Sequence, residues 1–152
     1  FSSAEQEIDI LAYSALFLAE DAGLLGILTD KACTGISVRI ALGDPDSPQV
    51  ADRGTEEGIG GAMSAKVRNA LALFGPLIGV PGVELRLHRA ILYNSIYRAD
   101  NQLLVNQHTY GIPAAHAPVF HIMLTPVGEM AEAYLTSLER VWATGQPHPG
   151  AC

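Results

Sequence analysis

The chain has few cysteines: Cys33 and Cys152 are the two among 152 residues, with no CxxC spacing between them. That excludes a disulfide framework and a cysteine-based zinc motif, and it points to a reducing compartment. Basic charge is also short. Nine Lys and Arg stand against sixteen Asp and Glu, for a net charge of −7 and a pI near 5.0, so this segment is a poor grip for phosphate backbones. Long apolar runs are missing too. The most apolar stretch, "ALALFGPLIGVPGV", is broken by Pro76 and Pro81 and is shorter than the roughly eighteen residues a membrane span needs. With no signal-peptide pattern at the start, no membrane association is expected and the setting is cytoplasmic. The chain begins at Phe1 rather than Met and ends in "GQPHPGAC", and it is expected to be cut from something longer.

Several chemical signatures are likewise absent. The histidines, His88, His108, His116, His121 and His148, form no HExxH pattern, so no metal is expected, although His116 and His121 lie close enough in sequence to share one. No GxSxG elbow is present, which leaves Ser14 and Ser95 as nucleophile candidates by chemistry alone. "GIGGAMSAK" lacks Walker spacing, although its amides could receive an anion. The acidic stretches "GDPDSP" and "DRGTEEG" lack EF-hand spacing and read as a solvated loop. No cofactor is implied.

What is present is enough apolar content, 49%, for one core in one domain. "EIDILAYS" alternates as a buried strand, and "AEDAGLLGILTDKACTG" is a helix closed by Gly35. "ISVRIALGD" is a second strand, which gives a parallel βαβ unit. "GDPDSPQVADRGTEEGIGGA" reads as a long loop, and "MSAKVRNALALFGPLIG" as a helix ended by Pro76. "GVELRLH" is a third strand, and "ILYNSIYRADNQLLVNQHTYG" is a hairpin turning at Asp100 and Asn101. "TYGIPAAHAPVFHIMLTPVGE" is irregular with one short extended piece. "EMAEAYLTSLERVWATG" is a helix with Met130, Tyr134, Leu138 and Val141 on its apolar stripe. The expected fold is α/β, a mixed β-sheet flanked by helices, with the domain at 1–145 and a flexible tail at 146–152.

The hairpin concentrates chemistry: Tyr93, Asn94, Ser95, Tyr97, Arg98, Asp100, Asn106 and His108. Positions 93, 95 and 97 share a strand face by period two. This order of elements resembles one half of the phospholipase D-like fold, whose late hairpin carries HxKxxxxD, often followed by Gly-Ser, and whose two halves face each other across one site. With Asp100 on the motif's Asp, Tyr93 stands where the family has its nucleophilic His, and Ser95 where it has its phosphate-binding Lys. Gln107 and His108 fall near the Gly-Ser positions. The strings "LYNSIYRADN", "LLVNQHTYGIPAAHAPVFH", "GDPDSP", "RGTEEGIG" and "YLTSLERVW" resemble an actinobacterial domain that follows an XRE-type helix-turn-helix module in transcription regulators.

The resemblance implies a non-catalytic ligand-sensing and dimerisation domain of a transcription regulator, with DNA read by a module upstream of Phe1 and a homodimer as the working unit. The expected ligand-binding residues are Tyr93, Asn94, Ser95, Tyr97, Asn106 and His108. Asp100 would fix the turn, and Arg53, Glu56 and Glu57 would close over a small molecule, one that carries phosphate if the family's chemistry persists. Two alternatives stand beside it. One is a hydrolase or phosphodiesterase using His108 as base or nucleophile, with Asn94 or Arg98 at the oxyanion. The other is a structural dimerisation module with Tyr93 and Tyr97 at its interface.

Overall fold

The computed structural model describes residues 1–148. Strand β1 (Glu7–Leu11) enters the interior at once, followed by a short helix α1 (Leu16–Ala19) and then α2 (Ala22–Cys33). Asp21 caps α2 by accepting the Leu24 amide at 3.0 Å, and Gly35 at φ 93 closes it. There the Gly35 amide donates to Ala32 and the Ile36 amide to Lys31, a Schellman ending that needs a residue at ease with positive φ. Strand β2 (Ser37–Gly43) pairs parallel with β1, as the alternating sequences predict.

The stretch expected to be a loop holds helix α3 (Pro48–Glu56). Its composition hid it, but its start is well marked. Ser47 accepts the Val50 amide through its side chain, and Pro48 occupies the first turn, where a missing N–H costs nothing. Helix α4 (Ala62–Phe74) then runs until Gly75–Leu77 tightens into a 3₁₀ turn at Pro76. Strand β3 (Val83–His88) lies parallel to β2.

Strands β4 (Asn94–Ala99) and β5 (Gln102–Gln107) form the expected hairpin, and β6 (Val119–Met123) is the extended piece at its edge. Helix α5 (Glu129–Thr144) precedes a two-residue strand β7 (Gln146–Pro147). The sheet order is β6-β5-β4-β1-β2-β3-β7, with β4 antiparallel to β1. Residues 146–148 therefore correct the expectation of a tail: β7 pairs with Leu87 and Arg86, and the His148 amide reaches the Leu85 carbonyl. Backbone groups at the β3 edge supply what the side-chain pattern of "QPH" does not reveal. Residues 149–152 lie outside the described residues.

One sheet face carries Ile8, Ile10, Val38, Ile40 and Leu85, which join Leu28 of α2 and Val67 and Phe74 of α4 in a single buried cluster. The other face carries a charged spine beneath α5. Asp9, 2% exposed, lies between Arg39 (2.6 Å) and Arg98 (3.3 Å), and Arg39 also pairs with Glu139 of α5. A carboxylate this deep needs both cations, because removing a partner leaves an uncompensated buried charge. Arg39 and Arg86 stack on Trp142. The α5 stripe is Ala131, Leu138 and Trp142, with Tyr134 and Val141 half-buried, whereas Met130 is exposed. The expected stripe holds at Tyr134, Leu138 and Val141 and is corrected at Met130, whose place at the start of the stripe is taken by Ala131.

Candidate functional site

A cavity of about 770 Å³ opens where β1 stops, on the α1 side of the sheet. β1 has a parallel neighbour, β2, on one side and an antiparallel one, β4, on the other. The carboxyl end of such a strand is where α/β sheets leave a crevice. The wall is built by Ala12–Leu18 leaving β1, by Arg53 and Glu57 of the α3 end, by Met63 and Lys66 of α4, and by Ser95, Tyr97, Leu104, Asn106 and His108 of the hairpin. The chain enters α1 through Ala15 at φ 49, a left-handed conformation uncommon for a residue with a side chain.

Cross-strand register explains the hairpin's contribution. Ser95 pairs with Asn106 and Tyr97 with Leu104, so these four side chains share one face. Ser95 and Asn106 are buried. Asn106 donates its amide to the carbonyls of Ala114 (3.1 Å) and Pro118 (3.4 Å), which pins the segment before β6 against the cavity.

His108 has a defined tautomer. Its Nδ1 lies 3.1 Å from the Leu92 carbonyl, which can only accept, so Nδ1 carries the proton. Nε2 is then the acceptor for the Ser95 hydroxyl at 3.0 Å. Burial lowers the His108 pKa to about 4; the Leu92 carbonyl opposes this and the Arg53 charge adds to it. The imidazole is neutral at pH 7. Its ring stacks on Tyr13 at 5.6 Å, whose hydroxyl accepts the Leu92 amide. Burial pushes the Tyr97 hydroxyl up to about 12, against the opposing Ser95 hydroxyl, so it too stays protonated.

Arg53 is 4% exposed and its charge is met by two carboxylates. Its Nε donates to Glu57 at 2.8 Å, one terminal nitrogen lies 3.6 Å from Glu56, and the other meets the Ile112 carbonyl at 3.4 Å.

The expected residues divide. Arg53, Glu57, Ser95, Tyr97, Asn106 and His108 meet at the cavity, while Tyr93, Asn94, Asp100 and Glu56 do not line it. Tyr93 precedes β4 and is 75% exposed. Asn94 pairs with Gln107 on the opposite face, by the same alternation that turns Ser95 inward. Glu56 is exposed and touches the site only through Arg53. Asp100 lies at the far end of the sheet. It takes up the turn at φ 53 as expected, and its carboxylate also accepts the amides of Glu5, Gln6 and Glu7 at 2.8–3.0 Å. Arg98, the alternative oxyanion group, is consumed by Asp9 and Glu7 beneath α5.

Tyr13 was missed. Its position at the carboxyl end of β1 is the signal that would have found it.

Ser14 also lines the cavity, and the acidic loop, the histidine pair and the glycine run make other contacts. Asp44 accepts from Arg89 and from the Asp46 amide, and Asp46 pairs with Arg68, so the two carboxylates of "GDPDSP" are paired with arginines. Among the described residues, no group of three or more His, Cys, Asp or Glu is arranged to hold a metal. His121 contacts Gln102 instead of His116. The glycines of "GIGGA" form a close α3–α4 connection in which the Ile59 and Gly60 amides bond to the Gly54 carbonyl. Among the described residues, no helix is long and apolar enough to cross a membrane.

No protein-family model matches the chain, and no curated protein matches it. Among solved structures it is similar to Nuc, a phospholipase D family member from Salmonella typhimurium, at 18% identity and a TM-score of 0.53, over 97% of this chain and 84% of that one. The fold is phospholipase D-like. It is also similar to TrmBL2, an archaeal chromatin protein whose structure shows a novel mode of DNA binding, at 11% identity and a TM-score of 0.56, over 97% of this chain and 46% of that one. Identities this low carry the fold alone. Within this phospholipase D-like half, the hairpin turns Ser95 and His108 into the cavity and leaves Tyr93 outside it.

Proposed function

We propose that the domain is a non-catalytic, small-molecule-binding sensor of a cytoplasmic transcription regulator, with the cavity beside β1 as its ligand site. The observation that carries this reading is the cavity itself: about 770 Å³ with mostly apolar walls and a few convergent polar groups, the ordinary make-up of a small-molecule site. DNA would be read by a separate module, because an acidic domain of net charge −7 is repelled by phosphate. The likeness to a DNA-binding chromatin protein and the string resemblance to regulator domains support that setting. A homodimer would be its working form.

The polar groups suit binding better than catalysis. A base with a pKa near 4 is far from the operating pH at which proton abstraction is efficient. His108 is backed by the Leu92 carbonyl, which lacks the charge a carboxylate would lend to an imidazolium.

The second reading is a hydrolase, favoured by one contact: the Ser95 hydroxyl donating to His108 Nε2 at 3.0 Å, the bond an activated serine needs. In that case Ser95 would attack and His108 would take its proton. The two readings separate in one experiment on the folded domain, which combines hydrolysis of p-nitrophenyl acetate and bis(p-nitrophenyl) phosphate with ligand-detected NMR against a fragment set. Binding without turnover is expected. Turnover abolished by both Ser95→Ala and His108→Gln would replace the sensor with an enzyme.

A further inference from the structure

We infer that the cavity selects an uncharged, largely apolar molecule carrying one hydroxyl group, and that it discriminates against phosphate esters. This rests on the ligand-binding reading and narrows it. Three observations carry it.

The first is charge. A phosphate needs uncompensated cationic charge, and the charge of the Arg53 guanidinium is already offset by Glu57 at 2.8 Å and Glu56 at 3.6 Å, with the Ile112 carbonyl at its remaining nitrogen. The other charged lining residues, Lys66 and Glu20, are both exposed and contribute one charge of each sign. An anion entering would have to break the buried Arg53–Glu57 pair or be held by a solvated lysine alone.

The second is the apolar surface. Leu16, Phe17, Leu18, Met63, Leu104 and Val119 line the cavity. Phe17, Leu104 and Val119 are 63%, 45% and 56% exposed, more than a residue with a covering partner would leave to water. A ligand ring or chain laid against them would remove that area from water.

The third is the direction of the hydrogen bonds. The Ser95 proton is given to His108 Nε2, which leaves Ser95 Oγ as an acceptor on the cavity floor. Asn106 spends its amide donors on Ala114 and Pro118. Ser95 Oγ therefore receives a donor, and the protonated Tyr97 hydroxyl on the same strand face offers one, a pair that a single hydroxyl group answers in both directions.

Three probes with one ring system test this by calorimetry at pH 7: 2-naphthol, 2-methoxynaphthalene and 2-naphthyl phosphate. Naphthol is expected to bind at least tenfold more tightly than naphthyl phosphate and about fivefold more tightly than the methyl ether. Ser95→Ala should reduce the advantage over the ether, and Ser95→Ala with His108→Phe, which also removes the Nε2 acceptor, should erase it. Leu104→Arg, at an exposed position, should weaken naphthol about tenfold and raise the relative affinity of the phosphate by supplying an unpaired guanidinium. Naphthyl phosphate binding as tightly as naphthol, or a naphthol preference untouched by Ser95→Ala, would overturn the inference and leave a ligand site of another chemistry. No binding of any probe at millimolar concentration to folded protein would overturn the inference and the ligand-binding reading together.

Discussion

Acid should loosen this domain through His108, and the size of the effect follows from its surroundings. The imidazole is neutral in the fold because burial, helped by Arg53, lowers its pKa from 6.5 to about 4. Below 6.5 the unfolded chain binds a proton that the folded chain resists, so the stability contributed above pH 6.5 is lost as pH falls toward 4. The gap of about 2.5 corresponds to about 3 kcal/mol at 1.36 kcal/mol per unit, and to about 2 kcal/mol once the ring's partial contact with solvent is allowed for. Urea unfolding at pH 7.5 and pH 4.5 measures it. The drop in unfolding free energy between the two should be about 2 kcal/mol smaller in His108→Gln than in the wild type. His88, also lowered by burial, works in the same direction but is common to both proteins and cancels. An identical drop in the variant, or a His108 ring proton titrating near 6.5 by NMR, would mean that the fold does not hold the imidazole neutral.

Three further substitutions probe the frame around the site. A Cβ at Gly54 would meet the Gly60 carbonyl oxygen at 2.2 Å and Met63 Cβ at 3.0 Å. Gly54→Ala should therefore destabilise by about 2 kcal/mol or more despite alanine's better helix propensity, a loss that thermal unfolding will register. Asn106→Ala should cost about 1–2 kcal/mol and speed amide exchange in residues 114–117, which its side chain holds in place. Asp100→Ala removes the acceptor of three strand-leading amides and places alanine at positive φ. It should lose about 2–3 kcal/mol in chemical denaturation, whereas Asp100→Gly should recover the conformational part, about 1 kcal/mol.

Side-chain alternation made most of the sheet legible. Ile8 and Ile10 against Asp9, and Val38 and Ile40 against Arg39, declare buried strands, and Asp100-Asn101 declares the turn. Helix α3 was not legible because Gly54 and the flanking acids imitate a loop, although Ser47-Pro48 marks its start. β7 escaped because it is held by backbone bonds to β3. At the site, the period of two places Ser95 and Tyr97 on the cavity face, while Tyr93, read on the same period, precedes β4 and is exposed. The period could not show that Arg98 would be drawn to a buried Asp9 on the other face, nor that Asp100 would serve residues ninety-odd positions away. Tyr13 was hidden for the same reason: its partners, Leu92 and His108, are distant in sequence and meet it only after the sheet forms.

An amide-resolved NMR titration of the folded domain with 2-naphthol locates the ligand site. Saturable shifts are expected at Ser14–Leu18, Ser95, Asn106, His108 and Ala114, with an affinity about tenfold weaker in Leu104→Arg. Shifts scattered over the surface, or none at all, would contradict a ligand site beside β1.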